Sequence, residues 1–410
     1  MLPRYDNIDL LFEKSYINNK LIHNRIVFNP MEGCDANGDG SPSELVEKRY
    51  SGFAGGGAGI IWMEAVAICE DGKANPRQLY LNNANLDAFK KLVEDIKNKG
   101  IKQNGFEPVV IIQATHSGRY SKSSTGESRP QIAYNNPLFE KEPISRSNIV
   151  SDDYLQSLED KYVDFAQLAM AAGFDGIDIK ACHRYLVNEL LSAYTREGLY
   201  GGSFENRTRL LRNSVEKVKA ISKDGFIVTS RLNMYDGFPY PYGFGVRPDE
   251  GIDMDFTEGI KLVKTLKLPL INISIGNPYV NPEVNRPCNG TPLKEAYEKA
   301  VSNLLVAAKA ANSAGDTQVV CSGISGLKAD APYVAAGAIF QGYCSYAGFG
   351  RMTFAYPNFV KNIKKGLEVN KCCITCGKCS ELMRAGSKAG CVIRDKFYFE
   401  LYKKDVMKKK

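Results

Sequence analysis

The strongest constraint on the fold is an alternation that runs almost the length of the chain. Short apolar runs lie at 25–30 (RIVFNP), 59–65 (GIIWMEA), 108–113 (PVVIIQ) and 174–179 (FDGIDI). Four more lie at 226–232 (FIVTSRL), 269–274 (PLINIS), 318–323 (QVVCSG) and 342–348 (GYCSYAG). Between them, LDAFKKLVEDIKNKG, YLQSLEDKYVDFAQLAMAAG and LLRNSVEKVKAIS place apolar residues at three-to-four spacing. Runs this short suit strands buried on both faces, and the longer period suits helices that cover them. Eight such units predict an α/β fold, a (β/α)8 TIM barrel over residues 1–365, with a cysteine-rich extension over 366–410. The Ser-, Pro- and Asn-rich segment Tyr120 to Asp152 predicts an irregular loop over the barrel mouth.

If the fourth run belongs to a parallel barrel, the residues at its carboxyl end lie on the face where active sites are built. Those residues are Lys180, His183, Arg184 and Tyr185. A cation, an imidazole, a guanidinium and a phenol can bind and protonate an electron-rich oxygen or carbon. Composition narrows the partners. No run of about 18 apolar residues exists, which excludes a membrane span, and the start MLPRYDNIDLLFEKSY lacks the pattern of a signal peptide. A cytoplasmic protein is expected. The net charge of +7 is largely diffuse, apart from the basic tail KKDVMKKK, and does not argue for nucleic-acid binding.

The stretch Phe174 to Arg207 resembles the Old Yellow Enzyme family of flavin ene-reductases, closest to its clostridial branch with 2,4-dienoyl-CoA reductase, enoate reductase and trimethylamine dehydrogenase. Members carry a strand ending in His-x-x-His/Asn-Gly-Tyr-Leu, then a long loop and YGGS-x-ENR. Here the line is Lys180-Ala-Cys-His183-Arg184-Tyr185-Leu186, followed by Tyr200-Gly-Gly-Ser-Phe-Glu-Asn-Arg207. Lys180 replaces the first His and Arg184 replaces the Gly. The resemblance implies reduction of a carbon–carbon double bond conjugated to a carbonyl, with Tyr185 as proton donor and His183 and Lys180 on the carbonyl oxygen. Lys180 could equally lie against the flavin. Arg184 either salt-bridges a loop carboxylate or offers its planar fork to a substrate carboxylate, as in a bile acid or bilirubin. Two rivals are a flavin dehydrogenase of amines or other small molecules and a non-catalytic electron-transfer subunit.

The same resemblance implies FMN, held non-covalently, with Cys34 as a packed thiol. Pro30, Met31 and Glu32 would lie along the ring, Ala65 would face it, and Gln113 would meet its pyrimidine edge. Arg231 would sit beneath the N1–C2 carbonyl region, where a fixed cation stabilises reduced flavin. His116 is either structural or functional. Gly323, Gly350 and Arg351 follow the seventh and eighth runs, where phosphate-binding barrels hold their anion. The glycines of Phe53 to Gly59 are expected to let a helix approach a strand rather than to bind phosphate. NADH, NADPH or a separate electron-donor protein would reduce the flavin, and the oligomeric state is open.

Eleven cysteines without an export signal argue against a disulfide framework. Cys34, Cys69, Cys182, Cys288, Cys321 and Cys344 are scattered and mostly suit buried apolar sites. Cys373, Cys376, Cys379 and Cys391 have the spacing of cluster ligands, with Cys372 as a spare thiol. A [4Fe–4S] cluster, a tetrahedral zinc ion and free thiols all fit that pattern. The larger relatives continue into an FAD and nicotinamide domain that has no counterpart in this sequence.

Overall fold

The computed structural model describes residues 1–140, 142–248, 251–285 and 294–409, so Cys288 lies outside the described residues. Eight parallel strands close into a barrel: β1 (Ile26–Phe28), β2 (Ile60–Ala67), β3 (Val109–Thr115), β4 (Gly176–Ile179), β5 (Ile227–Asn233), β6 (Leu270–Ser274), β7 (Gln318–Cys321) and β8 (Tyr346–Phe349). Each falls on an expected run. The last is the least well placed, because residues 342–345 form the turn that leads into it. Strand β8 pairs with β1 at Ala347 opposite Ile26, which completes the ring.

Two faces of each strand serve two cores. Val27, Ile60, Trp62, Val109, Ile111, Ile227, Leu270, Val320 and Tyr346 point inward and pack together. Ile17 and Ile22, from an antiparallel hairpin (Ser15–Ile17 and Lys20–Ile22), join them and plug the barrel floor. The outward side chains meet the apolar faces of the helices, among them α1 (Glu44–Gly56), α2 (Leu86–Asn104), α3 (Asp152–Ala171) and α4 (Arg209–Ile221). Each large side chain removed from water contributes about 1.5–3 kcal/mol. With both strand faces covered, the polar groups that remain gather at the strand ends.

Local sequence sets the helix limits. Ser43 and Ser151 cap α1 and α3 by accepting from the third residue beyond. Gly57 ends α1 in the left-handed region at φ 93°. A Cβ at Gly56 would lie 2.2 Å from the Pro357 carbonyl and against the Phe28 ring, so the glycine run permits helix-to-strand packing. The YGGSFENR motif is also a folding device. Gly202 has φ 76°, Ser203 caps the turn Phe204–Arg207, and Arg207 binds Glu258 at 2.6 Å and the Leu191 carbonyl. No helix among the described residues is long and apolar enough to cross a membrane.

Residues after the barrel form α5 (Lys378–Arg384) and α6 (Lys396–Asp405), which share a small core of Leu382, Val392, Tyr398, Tyr402 and Val406. The Ala389 N–H donates to the Gly33 carbonyl at 2.7 Å, and Arg77 donates to the Gly386 carbonyl at 2.5 Å. The first bond fastens the extension to the turn that follows β1 and the second to the loop that follows β2.

Candidate active site

The carboxyl ends of β3, β4 and β5 hold a buried acid that sequence reasoning missed. Asp178, inside β4, is fully buried and accepts from Gln113 at 2.6 Å, from the Trp62 indole at 2.8 Å and from the Arg231 backbone N–H at 2.6 Å. Burial raises its pKa, while these donors pull the other way. Its signal was legible: a carboxylate in the middle of an apolar strand needs partners. Asp178 thereby fixes the Gln113 carboxamide and anchors the backbone beneath Arg231. The Arg231 Nε is buried without a hydrogen-bond partner, an unmet donor of the kind that a flavin carbonyl edge would satisfy. Ala65 sits opposite Gln113 in the sheet register.

Around the mouth, the side chains of β4 and the β1 turn converge. The Lys180 ammonium lies 3.4 Å from Glu32 and 4.0 Å from the centre of the Tyr185 ring. Tyr185 is 2% exposed, and its hydroxyl meets the Tyr279 hydroxyl at 2.9 Å. Burial first, then the Glu32 charge and Tyr279, drive the Tyr185 pKa well above the ordinary phenol value, so it stays protonated. Tyr279 stacks on Tyr120 with ring centres 3.9 Å apart, and it is 43% exposed. Neither Tyr120 nor Tyr279 could be assigned here from sequence, because they arrive from loops 65 residues before and 94 residues after Tyr185. Pro30, Met31 and Glu32 form the half-buried rim of the same mouth.

His183 and Arg184 both occupy the left-handed region, at φ 64° and 60°. Such backbone costs a non-glycine residue free energy of order 1–3 kcal/mol. The family pattern has glycine at Arg184's position; here an ion pair offsets the strain. Arg184 is fully buried, with Nη1 at 3.0 Å from Asp236 and 2.7 Å from Ser192, and Nη2 at 2.6 Å from the Tyr134 hydroxyl. Burial opposes its charge, but Tyr134, Asp236 and Glu189 together outweigh burial and raise its pKa. Its fork is already taken. The substrate-carboxylate reading of Arg184 therefore gives way to the loop salt bridge. His183 is half-buried at the mouth.

The expected phosphate residues are brought together by Tyr297. Its hydroxyl donates to the Gly323 carbonyl at 2.7 Å, accepts from the Gly326 N–H at 2.8 Å and lies 3.2 Å from Arg351. Gly323 has φ 87° and Gly350 accepts no larger residue easily, since a Cβ would meet the Met31 sulfur at 3.0 Å. The Gly350 N–H donates to the Ser325 hydroxyl at 3.2 Å. Backbone N–H groups, a cation and glycines at the ends of β7 and β8 form a cradle suited to a phosphate.

Two further clusters differ in what they can hold. Cys69, Asp71 and His116 are the only set of three metal-ligating groups within 4.8 Å among the described residues. Their hydrogen bonds are already satisfied. The Gly118 N–H donates to His116 Nδ1 at 3.1 Å, which leaves the ring proton on Nε2 for the Tyr154 hydroxyl at 2.8 Å, and that hydroxyl donates to Asp71 at 2.8 Å. Burial holds His116 neutral, at about 4, despite Asp71. A structural His116 follows. Cys373, Cys376, Cys379 and Cys391, by contrast, line one cavity with Arg351, Ile374, Ile393 and Arg394. Burial pushes the Cys373 thiol up to about 11 and raises Cys391. Four thiols on one cavity offer a soft ligand set that fits either an iron–sulfur cluster or a tetrahedral zinc ion. Cys34, Cys182, Cys321 and Cys344 are buried as expected, and Cys69 is partly so.

Comparison with known proteins fits this geometry. A family profile described as "NADH:flavin oxidoreductase / NADH oxidase family" matches residues 10–370. An NADPH dehydrogenase of Clostridium acetobutylicum is 28% identical over 269 residues, covering 65% of this chain and 74% of that protein. An NADH oxidase of Thermoanaerobacter brockii is 28% identical over 389 residues, covering 89% of this chain. The chain spans only 52% of that oxidase. Among solved structures, a 2-naphthoyl-CoA reductase complex superposes with a TM-score of 0.79 at 20% identity, covering 96% of this chain and 58% of that one.

Proposed function

The chain belongs to the NADH:flavin oxidoreductase / NADH oxidase family, and from that premise we propose that it is an FMN-dependent ene-reductase acting on an activated carbon–carbon double bond. The observation that carries this reading is Tyr185: a protonated phenol at the end of β4, 4.0 Å from a cation and beside a rim suited to a flavin. FMN, when bound, supplies hydride to the β-carbon of an enone or enoate. Gln113, positioned by Asp178, and the Arg231 guanidinium would hold the ring, with Pro30, Met31, Glu32 and Ala65 around it. Gly323, Gly350 and Arg351 would hold its phosphate.

The remaining steps belong to the protein's own side chains. His183 and Lys180 hydrogen-bond the substrate carbonyl, so negative charge is stabilised as it develops there. Glu32 at 3.4 Å holds Lys180 toward the flavin rim and tempers its charge. Tyr185 delivers a proton to the α-carbon, and Tyr279, hydrogen-bonded to it and open to solvent, returns one. The second reading, an amine dehydrogenase, draws on the Tyr120–Tyr185–Tyr279 cluster, a surface on which an alkylammonium could bind. Lys180 already occupies the Tyr185 face and would repel such a cation.

The four thiols are read as ligands of a [4Fe–4S] cluster, because all four line one cavity at the Cys-x-x-Cys-x-x-Cys spacing of cluster ligands and soft thiolates favour iron–sulfur chemistry. NADH, NADPH or a carrier protein supplies the electrons. An anaerobic absorption spectrum with photoreduction and titration by enones tests the whole. Flavin bands that return on adding an enone are expected. Reoxidation by amine-derived products alone, or a colourless protein, would overturn the reading.

A further inference from the structure

The positive excess of this chain, expected to be largely diffuse, instead sits almost wholly in the C-terminal extension. Residues 366–410 hold eleven Lys and Arg against five Asp and Glu, an excess of six out of seven for the whole chain. Four of those five acids are engaged. Glu381 accepts from the Tyr402 hydroxyl at 2.7 Å, Asp405 from Ser387 at 2.6 Å, Asp395 from the Phe397 N–H at 2.9 Å, and Glu400 pairs with Lys403 at 3.2 Å. Lys371, Arg384, Arg394, Lys396, Lys404 and Lys408 are exposed. The folded extension therefore presents a basic surface.

Within that surface lies an apolar spot at the thiols. Ile374 and Ile393, each 39% exposed, line the same cavity as the four cysteines, with Arg394 beside them. On the inner side, Arg351 of the phosphate cradle lines that cavity too, and Ala389 is bonded to the turn carrying Met31 and Glu32. The thiols thus stand between a basic, partly apolar outer face and the flavin rim. We propose that this face docks an acidic one-electron carrier protein of the ferredoxin kind. The inference rests on the iron–sulfur reading above and names the partner that reading needs.

The electron balance closes without a further reductant. Two reduced carriers give one electron each, and two protons from solvent complete the addition of two hydrogens across one double bond. Opposite charge steers such encounters and makes them sensitive to salt, because exposed charges are screened beyond about 8–10 Å at physiological ionic strength. The isoleucines supply the close contact that a brief electron-transfer complex requires.

Binding of an acidic two-cluster ferredoxin to the immobilised holoprotein, measured across ionic strength, tests the proposal. Affinity should fall steeply with salt, and Lys371→Glu with Lys396→Glu should weaken it about tenfold or more. Lys223→Glu with Lys264→Glu, at the opposite end of the barrel, should leave it unchanged. Flavin reduction by the reduced ferredoxin should follow the same order, while enone turnover driven by dithionite stays constant in both double variants. Salt-insensitive binding, equal loss in the two variants, or preference for duplex DNA over the ferredoxin would overturn the docking surface. The two readings fail separately: normal dithionite turnover without ferredoxin binding sinks the docking surface alone. Specific ferredoxin binding without enone turnover sinks the reductase alone.

Discussion

The barrel mouth and the C-terminal extension handle polar groups in opposite ways. At the mouth, Asp178, Arg184 and His116 are buried and already partnered by protein. The cost of burying them is met by a core that runs through the whole barrel. The extension buries only five residues in a core of its own, and its four thiols line one cavity. The lesson is one of dependence. The mouth is organised by its own contacts, whereas the extension has a small core that the proposed cluster would reinforce.

Variants and conditions can break or sharpen that contrast. The largest effect is expected at Tyr185→Phe, which removes the proposed proton donor and nothing of the ring. Enone turnover should fall about 10²- to 10⁴-fold with flavin still bound, read by stopped-flow oxidation of the reduced protein. Unchanged turnover would take Tyr185 out of the chemistry. Next comes Arg184→Ala, which leaves Asp236 buried without its cation, while Glu189 keeps Arg119 at 2.6 Å. A loss of about 3–5 kcal/mol in urea unfolding is expected, and a near-neutral result would show that water replaces the guanidinium.

A milder, local effect is expected when the proposed cluster is lost. Cys376→Ala, or iron chelation under reducing conditions, should raise hydrogen exchange across residues 366–409 while β1 to β8 keep their protection. Uniform protection in both regions would mean that the extension stands on its own core. The smallest effect is a pH slope. His116 is held neutral at about 4 in the folded protein, below its ordinary value, so the unfolded state binds the extra proton. Stability from this group is present above about 6.5 and is lost as pH falls through about 4, a change on the order of 3 kcal/mol. His116→Gln should flatten the difference in melting temperature across that window.

The fold was largely written in local pattern. Every barrel strand overlaps its expected run, though the second, third, fifth and eighth continue one or two residues past it, since a strand buried on both faces must be apolar throughout and the covering helices must repeat at their own period. Gln113, Lys180, Arg231 and Arg351 stand at or just beyond the ends of those runs, and their expected roles came from the family resemblance rather than from the pattern. Arg184 was ambiguous, because a guanidinium in a loop looks alike whether it faces solvent or Asp236. Asp178 could have been read as a site residue from its apolar surroundings.

What the sequence determined by itself is the barrel, its family and the chemistry types at its mouth, because each depends on spacing along the chain. What only the tertiary structure decided is which groups meet. Tyr279 reaches Tyr185, Tyr297 joins Gly323 to Arg351, and Ala389 fastens the thiol-bearing extension to Gly33. Those contacts join residues distant in the chain, and their geometry follows from barrel closure and core packing rather than from any local pattern.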